Sequence, residues 1–171
     1  MTDSRRPDEH SAEVTAIRLH ERIYVTFTSL AVILTLGLHA DGLGAGEAAL
    51  TLVVSALGTV LAAYAADLMS HVVVRGGFPS DAEGRTMRGA SIGALSVTVP
   101  PLLAIGLAGL DLYRVETALH VATAILVGTL GLVAWLGVRR AHGLAPAQRL
   151  VALGAMVLLG VVVVGLKLLA H

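Results

Sequence analysis

Residues 48–74 read AALTLVVSALGTVLAAYAADLMSHVVV. This run of 27 residues is interrupted in its last third by Tyr64, Asp67, Ser70 and His71. At 1.5 Å per residue a helix of this length covers about 40 Å, enough to cross a bilayer core with some tilt. An acid inside such a run is costly and calls for a partner or a purpose. Composition agrees with a membrane setting. The chain has 171 residues, of which 56% are hydrophobic and 14% charged, against about 25% charged in a soluble domain. Mean hydropathy is +0.81.

Working outward, four more apolar runs predict spans at about 23–38, 89–110, 117–138 and 150–170, beside the one at 48–74. The predicted fold is therefore all-α, an integral membrane bundle of five transmembrane helices. Residues 1–22 form a polar N-terminal segment, and residues 23–171 form the transmembrane domain. Residues 1–10 are expected to be disordered, with Ser11 capping a short helix that runs into the first span. The Gly-Gly and Pro-Ser-Asp chemistry of residues 75–88 predicts a loop. The basic stretch 139–149 predicts another. Arg5-Arg6 is followed by Pro7, Asp8 and Glu9 with no adjacent apolar run, which argues against a twin-arginine signal.

Orientation follows from the distribution of arginine. With five spans, the N-terminal segment and the 75–88 and 139–149 loops share one side. That side holds Arg5, Arg6, Arg18, Arg22, Arg75, Arg85, Arg88, Arg139, Arg140 and Arg149, while the other holds Arg114 and Lys167. The positive-inside rule places the N-terminus in the cytoplasm and the C-terminus outside. Lysine occurs once and asparagine never, which points to a GC-rich, bacterial genome and to a bacterial inner membrane.

Several chemistries are disfavoured. Zero formal net charge leaves no basic footprint for nucleic acid. Without cysteine there are no disulfides, thiolate sites or cysteine nucleophiles. Gly89-Ala90-Ser91-Ile92-Gly93 matches G-x-S-x-G but opens a membrane helix with no strand before it, so it reads as a small-residue packing face. No catalytic residue and no cofactor are expected.

The polar groups inside the spans suggest an ion or proton site. Asp67 and His71 are four apart and Tyr64 is three before Asp67, so all share one face of the second span. One reading makes Asp67 a carrier with His71 as relay. The other makes it half of a structural ion pair, with Arg22 and Arg75 near enough in depth to satisfy it. At the opposite rim, His39, Asp41, Glu116 and His120 offer imidazole and carboxylate donors suited to a divalent metal. Pro100 and Pro101 remove two backbone donors in mid-span, freeing the carbonyls of Ser96 and Val97. Such a break holds ions in some transporters and only kinks the helix elsewhere.

The motif Glu21-Arg22-Ile23-Tyr24 and the Ala-Tyr-rich stretch from Ala62 to His71 resemble small, uncharacterised multi-spanning membrane proteins of actinobacteria. The resemblance implies a multi-pass membrane protein and carries no activity or site residues. Together these readings predict a small proton or cation transporter or channel, or a non-catalytic accessory or assembly protein whose buried charges lock helix register. Small faces such as Ala62, Ala66 and Ser70, or Ala124 and Gly128, allow close helix approach. The expected partners are the lipid bilayer and either further copies of the chain or another membrane protein.

Overall fold

A computed structural model describes residues 7–40 and 42–140, together with Gly154 and Val162. Among them the elements are α1 (Pro7–Leu38), α2 (Ala45–Arg75), α3 (Asp81–Leu95), a 3-10 turn (Ser96–Thr98), α4 (Val99–Gly109) and α5 (Val115–Arg140). No strand occurs among the described residues. Four segments are long and apolar enough to cross a membrane: Leu19–Leu38, Ala45–Arg75, Asp81–Gly109 and Val115–Leu136. They match the first four predicted spans, each starting earlier than the bound read from hydropathy. The fifth predicted span, 150–170, and most of the basic loop 139–149 lie outside the described residues.

Three local predictions need correction. Ser11 does not cap a helix; α1 runs unbroken from Pro7, with Ser11 inside its first turns. Proline suits a helix start because its missing N–H would have no intrahelical partner there. The loop 75–88 is shorter than predicted, because α3 already begins at Asp81. Ser80 Oγ accepts from the Glu83 N–H while Glu83 reaches back to the Ser80 N–H, a reciprocal cap that satisfies two orphan donors. Gly76 closes α2 in the left-handed region at φ 69°, its N–H reaching the Val72 carbonyl at 2.9 Å. A side chain at that position would be strained.

The third correction concerns Pro100 and Pro101. They do not strand the Ser96 carbonyl, which accepts the Val99 N–H within the 3-10 turn. Proline then stands in the first turn of α4, where no donor is required. Ser96 Oγ donates to the Gly93 carbonyl at 2.6 Å and Thr98 Oγ1 to the Leu95 carbonyl at 2.7 Å. The hydroxyls therefore repair carbonyls just before the turn.

α3, the 3-10 turn and α4 follow one another without a break and together make the third apolar segment. α1 packs on α2, α3 and α5, and α4 packs on α5 and α2. One end of the bundle carries Arg22, Arg75, Arg85 and Arg88, and is called the basic end below. The opposite end carries His39, Glu47, Arg114, Glu116 and His120. The main apolar cluster fills the half towards that opposite end, with Leu30, Ile33, Leu52, Ile105, Leu119 and Leu126 at its centre. A smaller cluster of Val25, Ala56, Val60 and Ala94 lies towards the basic end. α2 buries Ala48, Leu52, Ala56 and Val60, one residue per turn, against its neighbours. α5 buries Ala118, Leu119, Ala122 and Leu126; from Val127 to Leu136 its residues are exposed or half-buried.

Candidate functional site at the basic end

Among the described residues one ionisable side chain is buried, and its sequence context does not single it out. Glu21, near the start of the first apolar segment, is only 5% exposed. Neither of its carboxylate oxygens has a hydrogen-bond partner among the described residues. It heads a row on α1 spaced by four residues: Glu21, Val25, Ser29 and Ile33, all buried. The polar groups whose electrostatics reach it are Asp67 from α2, Ser91 from α3 and His20 on its own helix. Ser91 is also buried, at 8% exposed, and its hydroxyl is unpartnered.

These three groups share one depth. A hydrocarbon core of about 30 Å needs about 20 helical residues. Counting from the opposite ends of the segments, at Leu38, Ala45 and Gly109, such a length reaches the neighbourhood of Glu21 on α1, Asp67 on α2 and Ser91 on α3. The site thus sits at the boundary of the apolar slab on the basic end. Glu21 faces inward there, and Asp67 is exposed.

Unpartnered hydroxyls are unusual in this fold. Thr26, Thr35, Thr51, Thr59, Thr123 and Thr129 each turn the hydroxyl back onto the carbonyl four residues earlier, at 2.6–2.9 Å. That is the ordinary way to hide a hydroxyl on an apolar helix. Ser91 and Ser29 do not do so, although Ser29 is 1% exposed. Ser29 stands at the seam between the clusters, two turns from Glu21, with Val25 of the smaller cluster on one side and Ile33 of the larger on the other. The basic half of the bundle therefore holds Glu21, Ser91 and Ser29 as buried groups that have lost water without gaining a protein partner. Each such hydroxyl costs about 1–3 kcal/mol, and a lone carboxylate costs more.

The remaining predicted site residues are placed as follows. Tyr64 is half-buried on the Asp67 face of α2. His71 shares that face, but its Nε2 stands 3.9 Å from Glu83 Oε2 on α3. Arg75 donates to Glu83 Oε1. Arg22 lies along α3 near Gly93, where its guanidinium approaches within 3.6 Å of the position a Cβ would take. Among the described residues Asp67 thus has no ion pair with either predicted arginine. Glu83 is the anion that His71 and Arg75 serve, and it also accepts from Ser80 Oγ at 2.8 Å.

At the opposite rim, His39 Nδ1 contacts the Thr35 carbonyl at 3.2 Å, and His120 Nδ1 contacts the Glu116 carbonyl at 2.9 Å. The Glu116 carboxylate stands 3.9 Å from Arg114. Asp41 lies outside the described residues. Among the described residues no three His, Asp or Glu side chains converge as a metal shell would require. Pro100 is exposed and Pro101 buried, both in the helical turn that opens α4.

No family model matches the chain, and neither a curated protein nor a solved structure does. A fold by itself assigns no activity, so function follows from the residues of the site.

Proposed function

We propose that this chain is a small multi-pass protein of a bacterial cytoplasmic membrane that carries protons or cations, with the Glu21–Asp67–Ser91 cluster as its binding site. The N-terminus and the basic end face the cytoplasm in this reading, and a fifth span at 150–170 completes the bundle. The observation that carries the proposal is Glu21: a carboxyl 5% exposed, unpartnered on both oxygens, beside a second carboxyl at the slab boundary. A chain selected only for stability gains nothing from such a group, since a leucine there would remove the penalty. Intramembrane acids mark ion and proton pathways in many transporters.

The apolar cluster of Leu30, Ile33, Leu52, Ile105 and Leu126 closes the other half of the bundle. Passage therefore requires that cluster to part, or a route between copies of the chain. Flux of protons and of monovalent cations into proteoliposomes, measured under pH and cation gradients, tests the proposal. Glu21→Gln abolishes the flux if Glu21 carries the charge. Absence of flux under every gradient with the wild-type chain would overturn it.

A second reading is a non-catalytic assembly protein. It is favoured by the exposed apolar faces of α2 (Leu57, Leu61, Met69 and Val73) and of the later half of α5 (Leu132 and Trp135), which suit partner helices as well as lipid. Glu21→Gln separates the two: an assembly protein keeps its partners and its physiological effect without the carboxylate.

A further inference from the structure

The outer face of α3 carries a second charged feature, independent of ion movement; it requires only that the apolar segments lie in a bilayer. Arg85, Arg88, Ile92, Ser96, Val99 and Leu103 follow one another at steps of three and four residues, and all six are exposed. They form one stripe along the outside of the third apolar segment. Ser96, inside its apolar part, turns its hydroxyl onto the Gly93 carbonyl at 2.6 Å. The stripe is therefore apolar below and ends above in two guanidiniums.

The arginines of the basic end are not alike. Arg75 is neutralised by Glu83, which His71 also faces. Arg85 and Arg88 have no carboxylate partner among the described residues. Each anchors its Nε on its own helix, Arg85 on the Asp81 carbonyl and Arg88 on the Gly84 carbonyl, both at 3.1 Å. An arginine held this way keeps its terminal nitrogens for an outside partner, as a fork that matches a phosphate. Arg22, exposed on α1, brings a third guanidinium to the flank of α3 at Gly93, again without a carboxylate partner among the described residues. Asp81 lies one turn further out and makes no ion pair among the described residues.

Depth agrees with a lipid. Arg88 and Arg85 stand three and six residues outward of Ser91 at the slab boundary, which is about 5 and 9 Å along the helix. The headgroup layer occupies about 5–8 Å on each side of the hydrocarbon. From Ile92 to Leu103 the stripe covers about 16 Å, close to the depth of one leaflet. A zwitterionic headgroup would set its own ammonium against the guanidiniums, whereas a net-negative one brings only attraction. We propose that this face binds one anionic phospholipid, its phosphate on Arg85 and Arg88 and an acyl chain along Ile92, Val99 and Leu103.

Native mass spectrometry of the full-length chain in a non-ionic detergent tests this. The probes are phosphatidylglycerol, phosphatidylcholine with the same chains, and glycerol phosphate, which is a headgroup without chains. Phosphatidylglycerol is expected to bind once per chain at a concentration roughly tenfold below that needed for phosphatidylcholine, since each basic side chain near an anionic surface contributes about fivefold. Millimolar glycerol phosphate does not displace it. Replacing both Arg85→Gln and Arg88→Gln removes the preference. Arg88→Gln alone weakens it severalfold, while Arg75→Gln, one charge lost from the same end, leaves it unchanged. Arg85 and Arg88 touch only their own helix, so an unchanged elution volume in detergent is expected for their variants.

Equal retention of the two lipids, a preference that survives the double substitution, an equal loss in Arg75→Gln, or displacement by glycerol phosphate would each overturn the proposal. A wild-type chain that fails to enter liposomes loses the bilayer reading itself. One that enters them and retains no phosphatidylglycerol loses only this site, and its ion flux is measured separately.

Discussion

The two halves of the bundle solve the problem of burial in opposite ways. Towards the end bearing His39 and His120, α1, α2, α4 and α5 bring Ile33, Leu52, Ile105 and Leu126 together, each 0% exposed. Threonines in both halves fold their hydroxyls onto their own helices, as Thr35 does onto Ala31 and Thr26 onto Arg22. Towards the basic end, small residues replace large ones at the contact (Ala56, Ala90, Ala94), and Glu21, Ser91 and Ser29 are buried without partners. One half is built like a core. The other encloses polar groups at a cost that packing does not recover. The contrast teaches where stability and function reside: the large apolar residues hold the fold, and the orphan groups of the other half perform its chemistry.

Substitutions in the two halves should therefore separate stability from activity. The largest stability effect is expected from Leu52→Ala or Ile105→Ala. Each removes a fully buried side chain from the main cluster and should lower stability by about 2–5 kcal/mol, read from unfolding in mixed micelles. Next comes Glu21→Gln. It should leave stability nearly unchanged, because one unpartnered polar group replaces another, while flux is lost. A large destabilisation from Glu21→Gln would mean that partners hold the carboxyl in place, contrary to its burial as an orphan group.

Smaller effects follow at the turn between α2 and α3. Ser80→Ala removes the reciprocal cap with Glu83 and should cost about 1 kcal/mol. It should also loosen the His71–Glu83–Arg75 contacts without touching flux, since none of those groups faces Glu21. The smallest stability effect is expected from Ser29→Ala. A hydroxyl with no partner contributes little by its presence, so the change should stay within about 1 kcal/mol or favour the folded state.

The helical, membrane-crossing character and the first four spans were legible in hydropathy alone, because long apolar runs admit few alternatives. Helix ends were less legible. The polar starts of α1 and α3 look like a tail and a loop, yet they continue as helix because Pro7 and Ser80 supply good starts. The S-x-x-E spacing of Ser80 and Glu83 was the available signal for the second. At the candidate site, Asp67 stood out because it interrupts a long apolar run. Glu21 did not, since it stands beside Arg22 in a polar-looking stretch. Its burial arises from the approach of α3 to α1, with the small residues Ala90 and Ala94 at that contact. Membership of the row Val25, Ser29 and Ile33 was the one local clue. The pairing of His71 was equally hidden. Spacing along α2 suggests Asp67, but the early start of α3 brings Glu83 across the turn to take both His71 and Arg75.

The division of the bundle can be tested directly, because the chain contains no cysteine. Single substitutions Ser91→Cys and Ala122→Cys place one thiol in each half, at positions both buried in the fold. A small, membrane-impermeant thiol reagent is then added to vesicles from the side of the basic end. The thiol at position 91, at the depth of the exposed Asp67, is expected to react slowly as that half opens, while the one at position 122 stays inert. Equal reaction at both positions, or none at position 91, would contradict a polar half that opens to water set against an apolar half that stays closed.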